Sequence, residues 1–268
     1  MNWLKKWIYT VRIELASQLA YKLNFLLLVI GPAAVFFSIK VNLWWSIFQA
    51  RQGAPVAGYT FDHMLRYQSL VLIVTLLGQS YANRNISDEI RLGRISAFLL
   101  YPFGFISYHL GSFGAAQILN VATTLLLLLA LYFYGIFPIA DLSSFIAGVS
   151  LTLLVSIQWF FVWFLLSSSA FWLEESWVLR VIFILTARFL SGAVIPLELF
   201  PEVLQTALRY TPFPYLTYVP VQVFAGNYTG SLMEASCLTL FWTLSAMALA
   251  LAVWRKGCLL YTSDAADE

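Results

Sequence analysis

Asp88, Glu89, Arg91 and Arg94 place two carboxylates and two guanidinium groups within seven residues of an otherwise apolar chain. At that spacing they occupy about two turns of helix. The chemistry they offer is ion pairing with a partner surface. Ile95, Phe98, Leu99 and Leu100 follow, and Pro102 stops a regular helix from running on. The pattern predicts a short amphipathic helix at a water-facing surface, which either receives a partner or is simply solvated.

Other reactive residue types do not converge. His63 and His109 are far apart, and each reads as an interfacial polar residue rather than a ligand or a base. Cys237 falls inside an apolar run and Cys258 in the tail, which indicates neither a disulfide framework nor a metal cluster. The chain contains no G-x-x-x-x-G-K-[ST] phosphate loop, no H-E-x-x-H and no G-x-S-x-G. Catalysis within this chain is not expected, and neither is a directly bound cofactor or nucleic acid. Asp62, Asp88, Glu89, Asp141, Glu174, Glu175, Glu198, Glu202 and Glu234 all map to loops or helix ends, so a proton-coupled transporter would lack its usual intramembrane relay. Arg188 is the exception among the charges. It lies in the apolar run "VLRVIFILTARFLSG", about 12 Å beyond Arg180 along a helix. There it could face a substrate path and attract an anionic headgroup, or pair with a neighbouring helix. Gln117, Asn120, Thr123, Thr124 and Gln158 could form a polar seam along such a path or link helices.

The elements that must position these residues follow from composition. Of 268 residues, 61% are apolar and 10% charged, and the mean hydropathy is +0.80, whereas soluble domains carry about 25% charged residues. This is the composition of an integral membrane protein. Alternation of the kind a β-barrel needs is absent. Apolar runs long enough for the bilayer predict six spanning helices, at Leu23 to Ser46, His63 to Ala82, Phe113 to Tyr134, Leu142 to Leu166, Trp177 to Ile195 and Ala235 to Trp254. Lys5, Lys6, Arg12, Lys22, Arg84, Arg91, Arg94, Arg180, Arg255 and Lys256 fall on one side of that map. Lys40, Arg51, Arg66 and Arg209 lie on or near the other. The positive-inside tendency therefore makes the first side, with both termini and residues 85 to 105, cytoplasmic. No cleavable signal peptide is expected. Instead, Trp3, Leu4, Trp7, Ile8, Val11 and Leu15 fall at helical spacing, with Lys5, Lys6, Arg12 and Glu14 on other faces. This predicts an amphipathic helix on the cytoplasmic membrane surface, the alternative being a frayed start to the first spanning helix.

The last eleven residues, "CLLYTSDAADE", turn abruptly acidic and resemble a translated sequencing adapter. Residues 258–268 are therefore set apart as a non-native tail, which leaves residues 1–257 as a single membrane domain.

Two blocks carry a family resemblance. "DEIRLGRISAFLLYPF" has an acidic residue and Gly93, a Leu-Leu pair and Pro102. "SGAVIPLELFPEVLQTALRYTPFPYLTYVPVQVFAGN", residues 191–227, has a Ser-Gly turn at Ser191 and Gly192, Ile-Pro at Pro196, a second proline at Pro201 and a run through Pro212, Pro214 and Pro220. Together they resemble permease subunits of bacterial ATP-binding-cassette (ABC) exporters of the second, ABC-2-type class, in which six helices work with a separate ATPase chain. Tyr101 departs from the pattern, since many relatives carry a basic residue before the proline.

The resemblance implies an all-α membrane fold in the bacterial inner membrane, both termini cytoplasmic, whose first block is a coupling helix. Asp88, Glu89, Arg91, Gly93, Arg94 and Pro102 would meet the ATPase, with Glu174 and Glu175 in the second cytoplasmic loop as a lesser contact. A second permease, identical or related, would complete the path, with Asn120, Gln158 and Arg188 as candidate lining residues and membrane lipid around it. ATP would act through the partner ATPase alone. Ser191, Gly192, Pro196, Pro201 and Pro212 would belong to an outer gate. Prolines packed this closely exclude an uninterrupted helix. Val203, Leu204, Ala207 and Leu208 between them predict a short amphipathic helix, and a broken, re-entrant hairpin is one reading of the whole. A hydrophobic or amphiphilic cargo suits the apolar spans. A secondary transporter and a non-transporting scaffold are the alternatives.

Overall fold

In the computed structural model the described residues are 3–20, 27, 30–79, 86–99, 104–136, 139–174 and 176–267, without the side chains of Trp3, Leu4, Leu99 and residues 260–267. They are helical throughout, apart from turns and one isolated bridge between Val56 and Tyr59. In chain order the α-helices are α1 (Trp3–Ala20), α2 (Gly31–Ala50), α3 (Phe61–Gly78), α4 (Ile86–Arg91), α5 (Phe105–Phe133), α6 (Leu142–Ser168), α7 (Ser176–Leu190), α8 (Glu202–Arg209), α9 (Phe213–Leu216), α10 (Tyr218–Phe224) and α11 (Leu232–Asp267). Short 3₁₀ turns cover Arg94–Leu99, Ser169–Phe171 and Leu197–Leu199.

Six helices stand where six spans are predicted, but three of them, among the described residues, are long and apolar enough to cross a membrane: Phe105–Phe133, Leu142–Phe171 and Leu232–Leu259. The differences at the helix ends have local causes. α5 starts eight residues before Phe113, because Tyr108, His109, Gly111 and Ser112 lower the hydropathy of its first turns while still packing inside the protein. α6 begins where the sequence places it, since the Asp141 carboxylate accepts the Ser144 N–H at 2.7 Å as an N-cap. α7 ends at Leu190 rather than Ile195: Gly192 takes φ +79, and the Pro196 ring lies beyond it. Fifteen helical residues reach about 22 Å, short of a roughly 30 Å hydrocarbon core. Residues 23–26 and 28–29 of the first predicted span and 80–82 of the second lie outside the described residues.

α6 is the central helix. It packs against α3, α7, α10 and, most extensively, α11. Small residues let it be approached closely: a Cβ on Gly148 would stand 2.5 Å from the Phe224 ring of α10. Apolar clusters close the bundle at both ends. One joins Trp44, Phe48, Met64, Leu70, Leu131 and Phe224 near the 191–227 segment. The other joins Ile86, Ile90, Phe105, Phe164 and Trp254.

α1 lies along the first half of α5. Its Thr10 methyl would meet a Cβ on Gly111 at 2.8 Å, and Glu14 accepts from Tyr108 Oη at 2.6 Å. Glu14 therefore belongs to the packed face with Trp7, Val11 and Leu15, not to a separate charged face. Ile8, Tyr9, Ile13 and Leu19 are the large apolar residues this helix leaves exposed, beside Lys5 and Arg12.

Candidate functional site

The charged segment after α3 folds as α4 followed by the 3₁₀ turn. Gly93, at φ +66, supplies the left-handed residue that ends α4, and its N–H donates to Ile90 O at 3.1 Å. Ile86, Ser87 and Ile90 are buried, which rotates Asp88 and Arg91 outward. Arg94, after the turn, is exposed as well. Glu89 differs from its neighbours. Its Oε2 lies 3.0 Å from Nε2 of His109, which is 4% exposed in the first turns of α5. Histidine at 109 is thus an interior partner of the segment rather than an interfacial residue. Pro102 and Glu175 lie outside the described residues.

α4 also packs against the Ser169–Phe171 turn at the end of α6. This brings the first charged loop beside the second, in which Glu174 is exposed. Beneath them Phe105 stacks on Trp254 with ring centroids 4.6 Å apart and planes 12° from parallel. Phe171 also contacts Trp254, at 5.5 Å between centroids. α4 therefore shares one apolar cluster with the ends of α5, α6 and α11. Asn120 and Gln158 are elsewhere: Asn120 Nδ2 donates to Gln79 O and Gln117 Oε1, both at 3.0 Å, and so links α5 to the end of α3. Gln158 is buried in α6. Arg188 stands apart from both, with its guanidinium carbon 5.3 Å from the Phe36 ring centroid.

At the opposite end, the backbone after α7 is held carbonyl by carbonyl. Ser191 O accepts from Tyr218 N at 3.0 Å, Gly192 O from Tyr67 Oη at 2.7 Å, Ala193 O from Lys40 Nζ at 2.6 Å and Val194 O from Gln68 Nε2 at 3.3 Å. Four consecutive non-helical carbonyls thus find donors on α2, α3 and α10, which offsets the cost of leaving them unpaired. Lys40 lies ten residues, about 15 Å, inside the end of α2. Pro196 and Pro201 each precede a short helical turn, Leu197–Leu199 and α8, and Pro212 precedes α9. In α8 the inward residues are Leu204, Gln205 and Leu208. Val203, 83% exposed, and Ala207, also exposed, do not belong to the face on which the spacing places them.

Glu198 organises the next layer. Its Oε1 accepts from Tyr218 Oη at 2.6 Å and from Gln222 Nε2 at 2.7 Å. Burial first, and the Glu198 carboxylate second, push the Tyr59 phenol well above its ordinary pKa. These groups form part of a cavity of about 1430 Å³ bordered also by Arg66, Arg209, Tyr228 and Glu234. None of Asn120, Gln158, Arg188, Ser191, Gly192, Pro196, Pro201 and Pro212 lines it. The sequence reading missed Glu198, His109 and Lys40. For Lys40 a signal existed, a lysine inside "VFFSIKVNLWW".

A family model for the ABC-2 family transporter protein matches residues 34–265, which takes in part of the acidic tail and leaves out α1. No curated protein matches the chain.

Proposed function

The chain belongs to the ABC-2 transporter family, and from that premise we propose that it is the permease subunit of an ATP-driven exporter in a bacterial inner membrane. It crosses the membrane six times, keeps both termini in the cytoplasm, pairs with a second permease and is powered by a separate ATPase. The observation that carries the reading is α4, a short helix whose apolar side is wedged among Phe105, Phe164 and Trp254 while Asp88 and Arg91 point outward.

ATP binding draws the two ATPase subunits together and presses on Asp88, Arg91 and Arg94. Because Ile86 and Ile90 sit in a close-packed cluster, the displacement moves the ends of α5, α6 and α11 instead of being absorbed locally. Glu89 and His109 keep α4 in register with α5 during the stroke. Gly93, Pro102, Glu174 and Glu175 complete the surface the ATPase meets.

At the outer face residues 191–227 form a re-entrant gate. Four hydrogen bonds hold its first carbonyls, each worth roughly 0.5–1.5 kcal/mol net, with the Lys40 bond higher. Exchanging them costs a few kcal/mol, a gap that differential binding of ATP and cargo to the two states can invert. The cavity beside the gate has tyrosine walls and a charged rim, which suits an amphiphilic cargo.

The test is co-purification. The chain is expressed beside its native gene neighbours, extracted in mild detergent, and its companions are identified by mass spectrometry. A phosphate-loop ATPase recovered with the wild type and lost with Arg91→Ala/Arg94→Ala is the expected result. Repeated recovery of folded chain without an ATPase would overturn the proposal.

A further inference from the structure

Two cations meet on one side of the bundle with no anion between them. Phe36 and Lys40 lie one turn apart on α2, and Arg188, near the end of α7, places its guanidinium over the Phe36 ring. Lys40 and Arg188 thus flank the same Phe36 side chain, the lysine one helical turn along α2 and the guanidinium over the ring at 5.3 Å from its centroid. Among the described residues no carboxylate forms an ion pair with either. Lys40 spends one of its three donors on Ala193 O, and Arg188 has five. Like charges held together within membrane depth are costly unless a counter-charge joins them.

The surroundings say where that counter-charge comes from. Phe36 is 51% exposed, and Ile39 and Leu43 on α2 and Leu185 and Phe189 on α7 are similarly exposed. This is an apolar flank suited to acyl chains, with the cations set into it. Glu198 turns its Oε1 to Tyr218 and Gln222, its Oε2 is buried without a hydrogen-bond partner, and it forms no ion pair with either cation.

We infer that Lys40 and Arg188 form a binding site for a phosphate group, presented by the headgroup of an anionic membrane lipid. The phosphate oxygens accept from the guanidinium fork and from the free ammonium donors, and the acyl chains lie along α2 and α7. Because the same ammonium holds Ala193 O, a bound lipid braces the backbone that leaves α7.

The full chain, delipidated in detergent, is titrated by native mass spectrometry with dioleoyl phosphatidylglycerol, with dioleoyl phosphatidylcholine and, separately, with inorganic phosphate as competitor. The expected result is one tight phosphatidylglycerol, bound about tenfold more strongly than phosphatidylcholine. Arg188→Gln loses that preference and Arg188→Lys keeps most of it. Competition by millimolar inorganic phosphate in the wild type but not in Arg188→Gln keeps the phosphate site and overturns the lipid as its source. Equal phosphatidylglycerol binding by the wild type and Arg188→Gln overturns the site itself. Lys40→Gln also removes the Ala193 bond and so risks the fold; Arg188, which holds no backbone group, is the decisive position.

Discussion

Glu89 Oε2 stands 3.0 Å from His109 Nε2, twenty residues on along the chain, and joins a water-facing charged segment to the buried start of α5. The two should therefore behave as one unit. In a double-mutant cycle read by thermal unfolding in detergent, Glu89→Ala and His109→Ala should couple by about 0.5–1.5 kcal/mol. Glu89→Ala and Arg91→Ala should be additive, since Arg91 points away. Additivity of the first pair would mean that α4 is held by its isoleucines alone.

Tyr67 and Gly192 offer a second test. Gly192 needs φ +79, and a Cβ there would lie 3.0 Å from Tyr67 Oη and 3.2 Å from Tyr218 Cβ. Gly192→Ala is expected to cost about 1–2 kcal/mol for the left-handed backbone, before any displacement of those neighbours. Tyr67→Phe, which leaves the Gly192 carbonyl without its donor, should cost about 1 kcal/mol or more. Both are read as lowered unfolding temperatures, and an unchanged Gly192→Ala protein would contradict the close approach.

Gly148 tests the packing of α10 on α6. Gly148→Ala forces the Phe224 ring to move and is expected to destabilise by about 1–3 kcal/mol. Phe224→Leu in the same chain should recover part of that loss, because the added methyl then has room. A Gly148→Ala protein as stable as the wild type would show that the two helices can separate freely.

The cap at Asp141 predicts a pH dependence. Hydrogen bonds from Ser144 and then Ser143 hold its carboxyl below the usual value of 3.8. A depressed folded pKa means that the unfolded chain takes up the proton first, so the contribution to stability is complete above about pH 4 and is lost as pH falls through the lowered value. The unfolding temperature of the wild type minus that of Asp141→Asn, followed from pH 7 to pH 3, should shrink towards the acid end. A constant difference would remove the charge from the explanation.

The helical class, the approximate positions of the helices and the family were legible in the sequence, because hydropathy and proline spacing are local signals. So were the exposed charges of α4: Asp88, Arg91 and Arg94 face outward simply because Ile86 and Ile90, on the other side of one short helix, are apolar. The end of α7 was legible only in part. "SGAVIP" predicts a break, yet where the helix stops depends on Gly192 meeting Tyr67 across 125 residues of chain.

By itself, then, the sequence determined that this protein is an apolar helical chain with a charged segment after its second predicted span and a proline-broken stretch before the last helix. Those properties follow from transfer free energies and backbone sterics, which act on neighbouring residues. The tertiary structure alone decided which polar groups are partners. Glu89 with His109, Glu198 with Tyr218 and Gln222, and Lys40 with Ala193 are distant pairings, fixed when the helices pack and each buried donor or acceptor must find whatever group the opposing helix presents.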